Sequence, residues 1–246
     1  MSNLETSNLE TRTPSFADLR AFADDGWRDA ASLPCAFGGE RHILDLPEGP
    51  VSVGRLALAA GGGSVVDLDA DEYLIAVSGS LTFTQGDAVF ALAEGASIVL
   101  PRGASFDWRA DAPVVLIYMR YANPNVEGGA LVPIDETGPL EPSGAPLAEL
   151  LIGPAPQCRN HGDYRSSDGE FMCGTWDSTP YHRRAMAYRH YELMHLLKGS
   201  VTFVDEAGRS GTFSQGDIFL VEQKAQCSWE STVDVAKVYA IYRPAA

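Results

Sequence analysis

The chain has 246 residues, of which 45% are hydrophobic, and its 18 basic against 33 acidic side chains give a formal charge of −15. That length suits two domains of ordinary size, each able to bury a core. The negative field repels phosphate backbones and anionic head groups, so neither nucleic acid nor a membrane is an expected partner, and the surplus acid reads as solubility.

The chain opens with a polar five-residue unit written twice, Ser2-Asn3-Leu4-Glu5-Thr6 and Ser7-Asn8-Leu9-Glu10-Thr11. It has too little apolar surface to order itself, and residues 1–14 read as a mobile tail. Neither a basic-then-apolar leader nor an apolar run of the ~18–20 residues a membrane helix needs is found, so the cytoplasm is the expected compartment. Ser15 is placed to cap a short helix with Phe16, Leu19 and Ala23 at helical spacing; Gly26 would end it, and it would cover a sheet edge.

Beyond the helix come short β-branched, aromatic and aliphatic runs, such as 80–84, 98–100, 114–121 and 235–242, cut by Gly and Asp turns. This is strand punctuation throughout. Residues 122–156 are rich in Pro and Gly, which breaks helices and central strands except briefly near 147–151, and they mark a linker. The four cysteines, Cys35, Cys158, Cys173 and Cys227, form no C-x-x-C pair and read as reduced thiols.

The second half repeats the first. Gly54, Glu72 and Gly79 match Gly174, Glu192 and Gly199 at an offset of 120; Gly95, Trp108, Tyr118 and Tyr121 match Gly216, Trp229, Tyr239 and Tyr242 at 121. One inserted residue explains the step: the turn at Gln85-Gly86-Asp87 corresponds to the longer turn over 205–209. Tyr118, Tyr121, Tyr239 and Tyr242 are expected to be structural, in the last strand of each copy.

Both copies keep E-x6-G (Glu72 with Gly79, Glu192 with Gly199), and the first adds G-x5-P-x-G at Gly95, Pro101 and Gly103. These spacings resemble the cupins. In the second copy Gly216 stays, while Glu222 and Lys224 stand at the Pro and Gly positions. The segment from Gly174 to Pro180, the pair Gly216-Asp217 and Trp229 are similar to the branch grouped with (S)-ureidoglycine aminohydrolase and ethanolamine-utilisation cupins. The resemblance covers about residues 35–246. It implies an all-β chain of two tandem jelly-roll barrels after a short N-terminal helix, with a homodimer as the default assembly. The expected division is a tail at 1–14, an N-terminal domain at 15–121, a linker at 122–156 and a C-terminal domain at 157–246.

Cupin metal chemistry sets two imidazoles two residues apart on a strand, with a carboxylate and a third imidazole. Counting back from Glu72 gives Val65 and Asp67, or Val66 and Leu68, with Phe106 at the third imidazole position. The N-terminal barrel thus offers Glu72 and Asp67 and is expected to be non-functional, with Glu72 bonded to backbone or Tyr groups and Phe106 filling the interior. Counting back from Glu192 gives Ala185 and Ala187, or Met186 and Tyr188, with Cys227 at the third position.

The C-terminal half holds four of the five histidines. Its candidate metal set is Glu192, His190, His182 and Cys227, and its candidate catalytic pair is Glu192 with His190. His195 falls on the opposite strand face from Glu192 and is expected to be a packed or interface histidine. Trp176, His182, Arg184, Tyr188 and Trp229 are the candidate ligand contacts, and Arg183, Arg184 and Arg189 are read either as gripping a carboxylate or ureido oxygen or as solvated surface side chains pairing the many acids. The resemblance to the aminohydrolase implies a metal held by a Glu, two His and a Gln; the matching positions, Glu192, Met186, Tyr188 and Cys227, retain only Glu192 and Cys227 as ligands, which argues against the same reaction. Two readings stay open. One is a metal-dependent hydrolase, or related enzyme, binding or transforming a small polar metabolite (ureido, amide or carboxylate) in the C-terminal barrel. The other is a non-catalytic ligand-binding, regulatory or structural bicupin with degenerate metal sites. The cofactor is correspondingly a divalent metal (Zn, Fe, Mn or Ni) or none.

Overall fold

The computed structural model describes residues 13–24 and 31–245, with backbone alone at 32–34. The expected tail, up to residue 12, and the helix stop at Gly26 lie outside the described residues. The chain forms two equivalent barrels, each a seven-stranded sheet closed by a four-stranded one. In the first, the large sheet runs Val132–Pro133, Ser97–Leu100, Asp71–Ser78, Val114–Tyr121, Val51–Leu58, Glu40–Ile43 and Ala31–Pro34. In the second it runs Phe16–Asp18, Ile218–Val221, Tyr191–Lys198, Val235–Tyr242, Phe171–Ser178, Cys158–Arg165 and Glu141–Ser143. The described strand pairs are all antiparallel, and the duplication read in the sequence is that of a complete barrel.

The central strands read as near-continuous apolar runs because both faces are buried. Along Asp71–Ser78, Leu74 and Ala76 enter the first barrel's core, while Tyr73, Ile75 and Val77 enter a shared core between the barrels. Tyr191–Lys198 repeats this: Met194 and Leu196 line the second barrel, and Tyr191 and Leu193 face the shared core. Each fully buried side chain contributes about 1.5–3 kcal/mol. Tyr121 and Tyr242, equivalent in the repeat, meet across this core with ring centroids 5.0 Å apart. One apolar outer face of each barrel is thus buried against the other within the chain.

Edge strands left bare invite wrong pairing, and each barrel covers one edge with a segment from elsewhere in the chain. Val132–Pro133 from the linker pairs with Ser97–Leu100, and Phe16–Asp18 pairs with Ile218–Val221 of the second barrel. The latter corrects the expected domain at 15–121: its first residues belong to the second barrel's sheet, since Phe16 is apolar enough to enter that core beside Phe203 and Phe213. The helix is Leu19–Asp24. Asp18, not Ser15, caps it by accepting the Ala21 N–H at 2.9 Å, and the Ser15 hydroxyl instead donates to Asp205 at 2.5 Å. In the linker, Ala148–Leu150 makes a single 3-10 turn where a brief element was expected.

The E-x6-G motif has a physical cause. Gly79 and Gly199 adopt φ of +77° and +79°, and a Cβ there would lie 2.7 Å from the Pro113 carbonyl oxygen and 2.1 Å from that of Asp234. Where the first barrel has Gly103 at φ +87°, the second keeps the left-handed backbone with Lys224 at φ +70°. Among the described residues no helix is long and apolar enough to cross a membrane.

Candidate functional site

The glutamates Glu72 and Glu192 occupy equivalent strands and turn into their own barrels. Glu192 is 7% exposed and accepts from the Lys237 ammonium at 2.7 Å on Oε1, while Oε2 lies 3.0 Å from His190 Nε2. Lys237, 6% exposed, comes from Val235–Tyr242, on the inner face it shares with Val235. Its ammonium also contacts Met194 Sδ at 3.3 Å and sits 4.7 Å and 5.3 Å from the ring centroids of Trp176 and Trp229. Burial by itself would raise the Glu192 carboxyl, but the Lys237 charge and the His190 bond outweigh it and hold the group well below the usual carboxylate range. Tyr181 stacks on Trp229 at 5.5 Å and completes an aromatic wall, with Trp176 half-buried.

Of the expected metal set, the structure brings together Glu192 and His190. Among the described residues no three His, Cys, Asp or Glu side chains converge as a metal site. His182 is directly opposite Glu230, which is exposed, whereas the strand's inward positions are Arg183, opposite Trp229, and Met186, opposite Cys227. Cross-strand partners share a face, so His182 points outward, away from Glu192. Cys227 points inward but is fully buried in the apolar core, where burial pushes its thiol up to about 11. The residues present therefore do not fit a metal: one carboxylate and one imidazole remain, and an ammonium already occupies the position of the cation against that carboxylate.

The expected ligand contacts divide similarly. Trp176 and Trp229 form the wall; Tyr188 is buried, and its hydroxyl accepts from Arg183 at 3.1 Å. Arg183 is itself buried and also donates to the Arg184 and Cys227 carbonyls, so it is committed within the fold. Arg184 and Arg189 are exposed. His195 is buried on the shared-core side of its strand, and burial together with Arg20 lowers its pKa to about 4.

The first barrel repeats the arrangement with different residues. Glu72 is fully buried and accepts from Arg41 Nη2 at 2.7 Å, with Arg120 Nε 3.9 Å from its second oxygen. This corrects the expectation of backbone or Tyr partners. Arg41 lies over the Tyr118 ring at 4.3 Å, and although burial opposes its charge, Glu72 outweighs burial and raises its pKa. Phe106 fills the interior against Phe37 and Phe83, as expected. A cleft of about 360 Å³ opens beside the pair, lined by Arg41, Glu72, Arg120, Asp67, Asp69 and Val66 among others.

Lys237 and Arg41 were not singled out in the sequence. Lys237 had a readable signal, a lone cation at an inward position of an apolar strand. Arg41 had none, because it follows Glu40 and precedes His42 in a run that reads as polar surface.

Comparison with known proteins agrees with this geometry. Residues 165–239 match the EutQ-like cupin domain. The crystal structure of a protein of unknown function of the DUF861 family from Pseudomonas syringae pv. tomato is 28% identical, with a TM-score of 0.81 over 93% of this chain and 100% of that one. A cupin 2 conserved barrel domain protein from Leptotrichia buccalis has a TM-score of 0.61 at 8% identity (95% and 99% covered), and protein Ylba from E. coli, also DUF861, 0.59 at 15% (96% and 94%). No curated protein matches. The duplicated barrel, its E-x6-G turns and these likenesses place the chain in the cupin superfamily, with its EutQ-like cupin domain in the second barrel.

Proposed function

We propose that this is a metal-independent, ligand-binding bicupin that recognises a small polar metabolite. One observation carries the reading: in both barrels the inward glutamate is already neutralised by a cation of the same barrel, Arg41 on Glu72 and Lys237 on Glu192, each at 2.7 Å. A buried carboxylate needs one compensating charge, and here the chain supplies it covalently. Chelator dialysis followed by addition of Zn²⁺, Mn²⁺, Ni²⁺ or Fe²⁺ tests this. Thermal unfolding should not change; a metal-dependent rise that Glu192→Gln abolishes would overturn it.

A second reading, chemistry on a carboxylate or amide metabolite in the C-terminal barrel, is favoured by the 3.0 Å contact of His190 with Glu192. Held ionised by Lys237, Glu192 is a poor proton donor, but it fixes the His190 ring through Nε2 and leaves Nδ1 as the base. In that case turnover of small amides or ureido acids would fall at least ~100-fold in His190→Ala. Absence of turnover across such a panel would leave binding as the function.

A further inference from the structure

We infer that the cleft beside Arg41 and Glu72 in the N-terminal barrel binds a small zwitterion, an amino-acid-like molecule with a short apolar side chain. Arg41 and Glu72 are each more than nine-tenths buried, and they line the cleft together. Their mutual bond uses Arg41 Nη2 and Glu72 Oε1. Arg41 Nη1 and Glu72 Oε2, both buried, have no hydrogen-bond partner among the described residues; Arg120 Nε stands 3.9 Å from that oxygen, an ion pair beyond hydrogen-bond reach. A buried donor and a buried acceptor left open on the two sides of one ion pair are costly unless something completes them. What completes both is a molecule with an acceptor at one end and a donor at the other: a carboxylate on Arg41 Nη1 and an ammonium on Glu72 Oε2.

Charge selects among such molecules. Arg41 and Arg120 face Glu72, Asp67 and Asp69 around the cleft, two cations against three carboxylates. A simple anion is disfavoured there, and so is an acidic amino acid; a zwitterion with a neutral side chain meets both signs. The mouth supplies the apolar contact: Val66 is 74% exposed, with Ala36 and Ile43 also lining the cleft. Beside Val66, Asp67 is held at φ +51°, a left-handed backbone that its N–H bond to Ser105 Oγ at 3.1 Å supports. Such local strain is retained where the surroundings fix a residue for contact.

The inference rests on the metal-independent reading, and the experiment separates the two. The full-length protein is titrated calorimetrically, with and without EDTA, with L-alanine, L-valine, L-leucine and L-aspartate, and with the half-molecules propionate and ethylamine. One of the neutral amino acids should bind at least tenfold more tightly than either half-molecule and than aspartate, equally in EDTA. It should also slow iodoacetamide labelling of Cys35, the half-buried thiol lining the cleft, since the other three cysteines are buried. Arg41→Lys and Glu72→Gln should each lower the affinity at least tenfold; should either fail to fold, Val66→Asp at the exposed mouth decides, with the same expected loss, because it replaces the apolar contact with a further carboxylate. Binding that EDTA abolishes would overturn the metal-independent reading, and this inference with it. No binding and no Cys35 protection by any neutral amino acid, or half-molecules equal to the whole, would overturn the zwitterion site while leaving that reading intact.

Discussion

Replacing Lys237 with Met keeps the length and apolar stem of the side chain and removes only its charge. Glu192 then remains 7% exposed, with His190 as its one described polar partner. Stripping one member from a buried ion pair costs about 3–5 kcal/mol, and loss of the cation over Trp176 and Trp229 adds about 0.5–2 kcal/mol. At two barrels' size the pair alone corresponds to a fall in Tm of roughly 6–20 °C. The pH dependence has a definite sign. In the wild type the Glu192 carboxyl is depressed, so its contribution is complete above the unfolded value near ~4.3 and is lost only as pH falls further. In Lys237→Met the uncompensated carboxyl is raised instead, and it sheds its penalty by taking up a proton as pH falls toward ~4. Urea unfolding at pH 7 and pH 4.5 should therefore show a wide gap between variant and wild type that narrows in acid. The double variant Lys237→Met, Glu192→Gln should recover to within about 1–2 kcal/mol of wild type at pH 7, since both charges are then gone. A single-variant cost below about 1 kcal/mol at pH 7, or no recovery in the double variant, would refute the assignment of Lys237 as the structural counter-ion.

Other outcomes follow from the same coordinates. Because the His195 pKa is lowered to about 4, the unfolded chain takes up that proton first, so wild-type stability should fall by about 3 kcal/mol between pH 6.5 and pH 4. His195→Gln should flatten this limb in urea unfolding measured across the range. Lys224→Gly should stabilise by about 0.5–1 kcal/mol by relieving the left-handed backbone at φ +70°; a loss in Tm would contradict that. Phe16→Ala should cost about 3–5 kcal/mol, although the residue stands close to the start of the chain, because its ring belongs to the second barrel's core. The loss should be visible in tryptophan fluorescence, since Phe203 touches both Phe16 and Trp229.

The barrels were legible in the sequence because their constraints are local. Glycine at φ near +80° in the turns, apolar runs buried on two faces, and a duplicated spacing all leave marks within a few residues of one another. The segment Phe16–Asp18 was misplaced for the opposite reason. Its partner lies two hundred residues away in Ile218–Val221, and a three-residue strand carries no period of its own. At the site, Glu192 and His190 could be paired from their two-residue spacing, His190 standing just before the strand Tyr191–Lys198, whereas Lys237 arrives from a neighbouring strand and is joined to Glu192 only by register. His182 was misassigned because the register shift between Arg183 and Met186 is silent in the sequence, so its outward direction follows only from pairing with Glu230.

Elemental analysis of the full-length protein, produced in medium supplemented with zinc, iron, manganese and nickel and purified without chelator, tests the central claim directly. With Lys237 and Arg41 as counter-ions to Glu192 and Glu72, transition metal should remain far below one equivalent per chain. One equivalent that disappears in Glu192→Ala would contradict the account.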